Sequence, residues 1–215
     1  MGNDLINRFK EFDAKERSNL IRKVFGKVVE TVSIEFKGQV IEAINKSPVN
    51  TIISEHAVLK FWAMDFHLDW IYACLHGYEE NKTYPTYTEA GSEKSKIIYG
   101  TQEDIDFLMI FEDGDTVYIV LVEAKLFSSW RNKQLNSKVS RLKKIFENMP
   151  EKYKNVKFSL CLLSPKRPVL LTMEGWPDWA EFYAFLEWDG PFSDKKKIVR
   201  CNKDNRGERW RVDKR

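Results

Sequence analysis

Cysteine is scarce in this chain, and the few cysteines stand far apart. Cys74, Cys161 and Cys201 are odd in number among 215 residues and form no CxxC pair. That spacing excludes a disulfide framework, argues against structural zinc, and fits a reduced, cytoplasmic setting. Long apolar runs are missing too, since no segment approaches the roughly 18 residues of a membrane span. The N-terminal stretch MGNDLINRFKEFDAKERSNL is charged and has no apolar signal core. Ile6 stands where a myristoylation signal needs Ser or Thr. No internal repeat, low-complexity segment, HExxH motif, helix-turn-helix or zinc-finger pattern is present, so no separate sequence-reading module is expected.

What remains is an ordinary soluble balance, 43% hydrophobic and 31% charged, sized for one embellished domain. The net charge of +3 says little, but its distribution says more. Seven basic and no acidic residues lie between Lys125 and Lys144, and the segment from Pro191 to Arg215 holds ten basic against four acidic. Clusters of this kind suit phosphate contacts; a solvated helix face and a basic tail are the plainer reading of each.

Apolar spacing predicts helices over residues 1–46, then a break at SPVNT. Ser54 is expected to cap a long buried helix, EHAVLKFWAMDFHLDWIYACLHG, ending at Gly77. A polar, turn-rich loop or frayed hairpin follows over YEENKTYPTYTEAGSEKSK. Two β-rich runs, DIDFLMIF and TVYIVLVEAK, flank Asp113-Gly114, a strong hairpin signal. Residues 131–148 read as an amphipathic helix with Leu135, Val139, Leu142, Ile145 and Phe146 on one side. VKFSLCLLSP reads as a buried strand, and EFYAFLEW as a strand or short helix. The fold class expected is α/β: a central mixed sheet of about four to five strands flanked by helices. Residues 1–50 form an N-terminal helical extension, and residues 51–215 the main domain with its basic C-terminal segment.

VLVEAK raises the functional question. A nearly continuous apolar strand is usually buried on both faces, yet it ends in Glu123 and Lys125. Buried charge is costly unless paired or bound to an ion. Side chains alternate along a strand, so Glu123 and Lys125 share a face, as do Asp104 and Asp106 on the partner. Counting back from the Asp113-Gly114 turn brings both aspartates beside Glu123 and Lys125. Carboxylates so close repel unless a cation intervenes, and Mg²⁺ satisfies such oxygen donors. A salt bridge of Lys125 with Asp106 or Glu123 is the plain structural alternative.

At this point the residues resemble the PD-(D/E)XK nuclease superfamily, the restriction-endonuclease-like fold. Its pattern has an acid opening one strand and a (D/E)-x-K triplet ending the next. Asp106 stands 17 residues before Glu123, and Glu123-Ala124-Lys125 forms the triplet. Ile105 replaces the proline that often precedes the first acid, and Asp104 is the alternative first acid. The resemblance spans roughly residues 54–164. It implies a Mg²⁺- or Mn²⁺-dependent nuclease acting on DNA, with Asp106 and Glu123 (and Asp104) as metal ligands and Lys125 stabilising phosphate charge or orienting water. It also implies a glutamate on the helix before the hairpin, here Glu55, and a polar residue on the helix after it, here Gln134.

Gln134, Lys138 and Arg141 fall at i, i+4 and i+7, and this polar face is expected to look toward the site and the phosphates. Arg131 and Trp130, just beyond the triplet, are further candidate nucleic-acid contacts, Trp130 by stacking. The resemblance admits a homodimer, for which the N-terminal helices are the natural surface. Two other functions stay open: a catalytically inactive nucleic-acid-binding or assembly protein of the same fold, and a small-molecule-binding α/β protein. His56, His67 and His76 have no compact metal spacing and read as packing or capping residues. Asp65 and Asp69, at i and i+4 of the expected helix, are candidate supporting acids.

Overall fold

A computed structural model describes residues 2–13, 15–25, 32–48, 52–90, 93–100, 103–126, 130, 132–147, 149–188, 196–201 and 209–214. Three helices lead: α1 (Gly2–Phe12), α2 (Glu16–Phe25) and α3 (Ile34–Asn45). They are followed by β1 (Val58–His67), α4 (Leu68–His76) and a small hairpin of β2 (Tyr87–Ala90) and β3 (Glu93–Lys96). Strands β4 (Asp104–Asp113) and β5 (Thr116–Ala124) form the hairpin expected at Asp113-Gly114. Gly114 supplies the left-handed φ of +55° that such a tight turn favours in glycine. Helix α5 (Asn132–Glu147) then crosses to β6 (Val156–Ser164). Helix α6 (Asp178–Glu181), β7 (Ala184–Glu187) and a separate hairpin of β8 (Lys196–Cys201) and β9 (Arg209–Lys214) complete the chain.

Five strands make one mixed sheet in the order β1-β4-β5-β6-β7. Strand β4 runs antiparallel to β1 and β5, while β5, β6 and β7 are parallel. Alternate residues of β5 feed two cores. Ile119 and Leu121 face a core closed by α1, α4 and α5; Val120 and Val122 face one closed by α3. Both faces of the sheet are covered, which is why β5 and β6 read as nearly unbroken apolar runs. Residues 1–50 therefore do more than extend the domain. Leu5, Ile6 and Phe9 of α1 lie in the first core and Val40 and Ile44 of α3 in the second. Ser33 caps α3, its hydroxyl oxygen accepting from the Phe36 amide at 3.3 Å. Among the described residues no helix is long and apolar enough to cross a membrane.

The long helix expected over 55–77 is corrected. Its first half is β1, and only Leu68 onward is helical, ending at Gly77 with φ +81°. Ser54 caps a tight turn instead: its side chain accepts from the His56 amide, and its carbonyl accepts from Ala57. The apolar density of residues 57–68 has a different origin from helical packing. Strand β1 is an edge strand that buries Phe61, Ala63 and Phe66 in the first core, but a register shift between Leu59 and Phe61 and the left-handed Asp65 interrupt its alternation, so its sequence lacks the period of two that marks a regular half-buried strand.

Candidate functional site at a fork between two strands

The β4–β5 ladder runs from Asp113↔Thr116 to Phe107↔Val122 and stops there. One residue further, where Asp106 would face Glu123, the strands part. The Ala124 amide donates to Asp106 Oδ2 at 2.8 Å, so a carboxylate takes over from the strand backbone. Strand β5 stays with β6 on its other side, the Lys125 amide donating to the Leu163 carbonyl at 2.9 Å. Asp106, Glu123 and Lys125 thus stand at the same end of the sheet, with Asp106 lining a cavity beside Phe107 and Glu123 a separate small one beside Lys138. Strand β1 is irregular at the same level. Pairs Met64↔Phe107 and Phe66↔Ile105 set Asp65 across from Asp106, and Asp65 has φ +52°.

Glu123 shares its face with Ile119 and Leu121 and points toward α5, where its carboxylate is buried. Burial is the main cause that holds its pKa at about 7, above the usual carboxylate range. The Asp106 charge adds to the rise, while Lys138 and Lys125 oppose it. Lys138 Nζ donates to Glu123 Oε1 at 2.5 Å and to the Asp104 carbonyl at 2.5 Å. Its ammonium supplies the positive charge that a buried carboxylate requires.

Several candidates stand elsewhere than expected. Lys138 and Arg141 were expected to face phosphates, yet both are about 5% exposed and engaged by acids. In helical projection Lys138 falls between Leu142 and Ile145, inside the apolar stripe of α5, and this phase forces it inward. Arg141 joins Asp69 and Glu103 and lies over the Tyr99 ring at 4.6 Å. Asp69, at the start of α4, also accepts from the Tyr99 and Gly100 amides and so ties down the approach to β4. Asp104, the alternative metal ligand, has other partners: Lys15 Nζ at 2.9 Å and His67 Nδ1 at 2.6 Å contact its carboxylate. Asp65 is paired with Arg17 at 2.8 Å.

Glu55 lies at the wrong end of the sheet. Val58 pairs with Glu112 near the hairpin turn, six positions or roughly 20 Å along β4 from Asp106. The Glu55 side chain is 88% exposed and has His56 beside it. Its misplacement follows from the helix that is a strand.

Gln134 is exposed and lines a small cavity with Glu123, Lys125, Trp130 and Lys138. Trp130 is partly buried, its Nε1 donating to Ser164 Oγ at 3.2 Å. Arg131 lies outside the described residues. Sequence reasoning missed the partners Lys15, Arg17 and His67, whose positions depend on the packing of the N-terminal segment and β1. The signal for Lys138 was present in its helical phase.

Among the described residues no group of three or more His, Cys, Asp or Glu side chains is gathered to hold a metal. Comparison with known proteins gives no match: no family model, curated protein or solved structure aligns with the chain.

Proposed function

We propose that the protein is a metal-dependent nuclease that hydrolyses phosphodiester bonds in DNA. The observation that carries this reading is the fork, in which Asp106 accepts from the Ala124 amide, Glu123 stands one residue away, and Lys125 follows. The donor chemistry fits a divalent cation. The buried Glu123 carboxylate is met by Lys138, and the Asp106 charge lies close enough to bear on it, so a cation held between the two acids would take the place of Lys138. Mg²⁺ commonly takes one or two carboxylates and completes its shell with water and phosphate oxygens. Held by Asp106 and Glu123, such an ion would polarise the phosphodiester and lower the pKa of an attacking water.

The chain's own residues supply the rest. Lys125, at the end of β5, balances charge that develops on the phosphate. Gln134 lies beside it on α5, exposed and able to hydrogen-bond a water or a phosphate oxygen. Lys138 is the resident counter-charge of Glu123 and competes for the same oxygen.

That last contact favours a second reading, a nucleic-acid-binding protein of the same fold without turnover, in which Lys138 neutralises Glu123 permanently. Plasmid and single-stranded DNA incubated with Mn²⁺, comparing the wild-type chain with Lys125→Ala, separate the two. Cleavage lost in the variant supports the nuclease. Cleavage unchanged by the substitution removes this mechanism, and DNA retention without cleavage supports the second reading.

A further inference from the structure

Lys125 and Leu126 border two cavities at once. One, of about 390 Å³, is walled by Trp130, Pro165, Lys166, Arg167 and Leu170. The other, of about 820 Å³, is walled by Phe36, Met64, Asp106, Phe107 and Trp188. Both volumes fall within the ~300–1,000 Å³ typical of ligand clefts. The cavities belong to opposite faces of the sheet. Trp130 packs against the core under α1, α4 and α5, whereas Phe36, Phe107 and Trp188 pack against the core under α3. The end of β5, with Lys125, forms the ridge between them.

Each cavity offers flat apolar surface with cations nearby. Trp130 is held by its bond to Ser164 Oγ, with Lys166 and Arg167 on the adjoining loop. Val169 and Leu170 on that loop are 86% and 84% exposed, large apolar side chains facing water beside a basic rim. Across the ridge, Phe107 is held edge-on by Phe36 at 6.0 Å, and Arg17 lines the same cavity in an ion pair with Asp65.

We infer that the substrate strand is bound unpaired, crossing the end of the sheet with its scissile phosphate at Lys125. The base on one side of that phosphate lodges by Trp130, and the base on the other side lodges by Phe107 and Trp188. The inference rests on the nuclease reading, which supplies the strand and the scissile phosphate. Neighbouring bases in a duplex strand stack about 3.4 Å apart and point the same way. Two cavities on opposite faces require them to turn apart. Unstacking and unpairing cost free energy, least where a strand is already single. Aromatic and apolar walls accept any base by its flat face, so little sequence preference is expected.

The test is fluorescence anisotropy with a labelled oligothymidine and with a labelled blunt duplex of equal length, in EDTA so that no cleavage occurs. The oligothymidine is expected to bind at least tenfold more tightly than the duplex. Trp130→Ala is expected to weaken it about tenfold, as loss of one stacking platform does. Leu170→Asp, on an exposed loop position that cannot unfold the core, is expected to weaken it in the same direction. Equal affinity for both probes, no binding of either, or single-strand binding untouched by both substitutions overturns the inference. A parallel Mn²⁺ cleavage assay keeps the two ideas apart. Tight single-strand binding without Lys125-dependent cleavage defeats the nuclease reading alone, and Lys125-dependent cleavage with equal probe affinities defeats the unpaired-strand inference alone.

Discussion

Lys138 Nζ lies 2.5 Å from Glu123 Oε1, in a pair whose side chains are 6% and 4% exposed. The contact joins the apolar stripe of α5 to the one charged position on the inner face of β5. Breaking such a pair by removing one partner leaves an uncompensated buried charge, which typically costs about 3–5 kcal/mol. Lys138→Met is expected to lose stability on that scale in urea denaturation at pH 8. The double variant Glu123→Gln/Lys138→Met should recover most of it. A double variant as unstable as the single would show that Lys138 acts through packing and not through charge.

Asp106 and Asp104 are two residues apart and have different partners. Asp106→Asn keeps an acceptor oxygen for the Ala124 amide, so its melting temperature should stay close to wild type. On the proposed mechanism its cleavage rate should fall by at least about 100-fold, the scale seen when one electrostatic group of an active site is lost. Asp104→Asn strips the charge that Lys15 and His67 share, and should lower thermal stability more than Asp106→Asn does. Parallel melting curves and Mn²⁺ cleavage assays on both variants check the contrast; the reverse pattern would make Asp104 the functional acid.

The N-terminal helix should be needed for folding. Phe9 is fully buried, with ring centroids 6.2 Å from Phe61 and 5.5 Å from Phe66. Phe9→Ala is expected to cost about 3–5 kcal/mol, the usual range for a large core aromatic. Chemical denaturation measures this, and a loss under 1 kcal/mol would mean that α1 is a dispensable arm.

His76 should make stability depend on pH. Its pKa is lowered, chiefly by burial, against a smaller opposing effect of the Ile145 carbonyl, 3.3 Å from Nε2. A base with a lowered folded pKa takes up protons more readily when unfolded. Its stabilising effect is therefore complete above the unfolded value near 6.5 and is lost as pH falls below that value. His67, also lowered mainly by burial, acts in the same direction. Unfolding free energies of His76→Gln and wild type at pH 5 to 8 should show a shallower slope for the variant below pH 6.5 and parallel curves above it. Equal slopes throughout would exclude His76 from the acid response.

How much of this was legible in the sequence depends on the range of the interactions. The Asp113-Gly114 hairpin, α5, β6 and the α/β class follow from local turn chemistry and from apolar periodicity, which a single segment carries by itself. The placement of Asp106 and Glu123 at the same end of the sheet was also legible, because a two-residue hairpin fixes cross-strand register by counting. The identity of β1 was not, since a register shift near Leu59 and the left-handed backbone at Asp65 interrupt the alternation that would mark a strand.

Nor could the chain alone reveal that Asp104 is taken by Lys15 and His67 while Asp106 stays in the fork. Those partners arrive from 89 and 37 residues away, as numbering from 104 back to 15 and 67 shows. Local pattern determined which residue types stand at the rim of the sheet. Packing of α1, α2 and α5 against that rim decided which of them are neutralised and which remain in the cavities, because a buried charge must be met by whatever counter-charge the tertiary fold brings within reach.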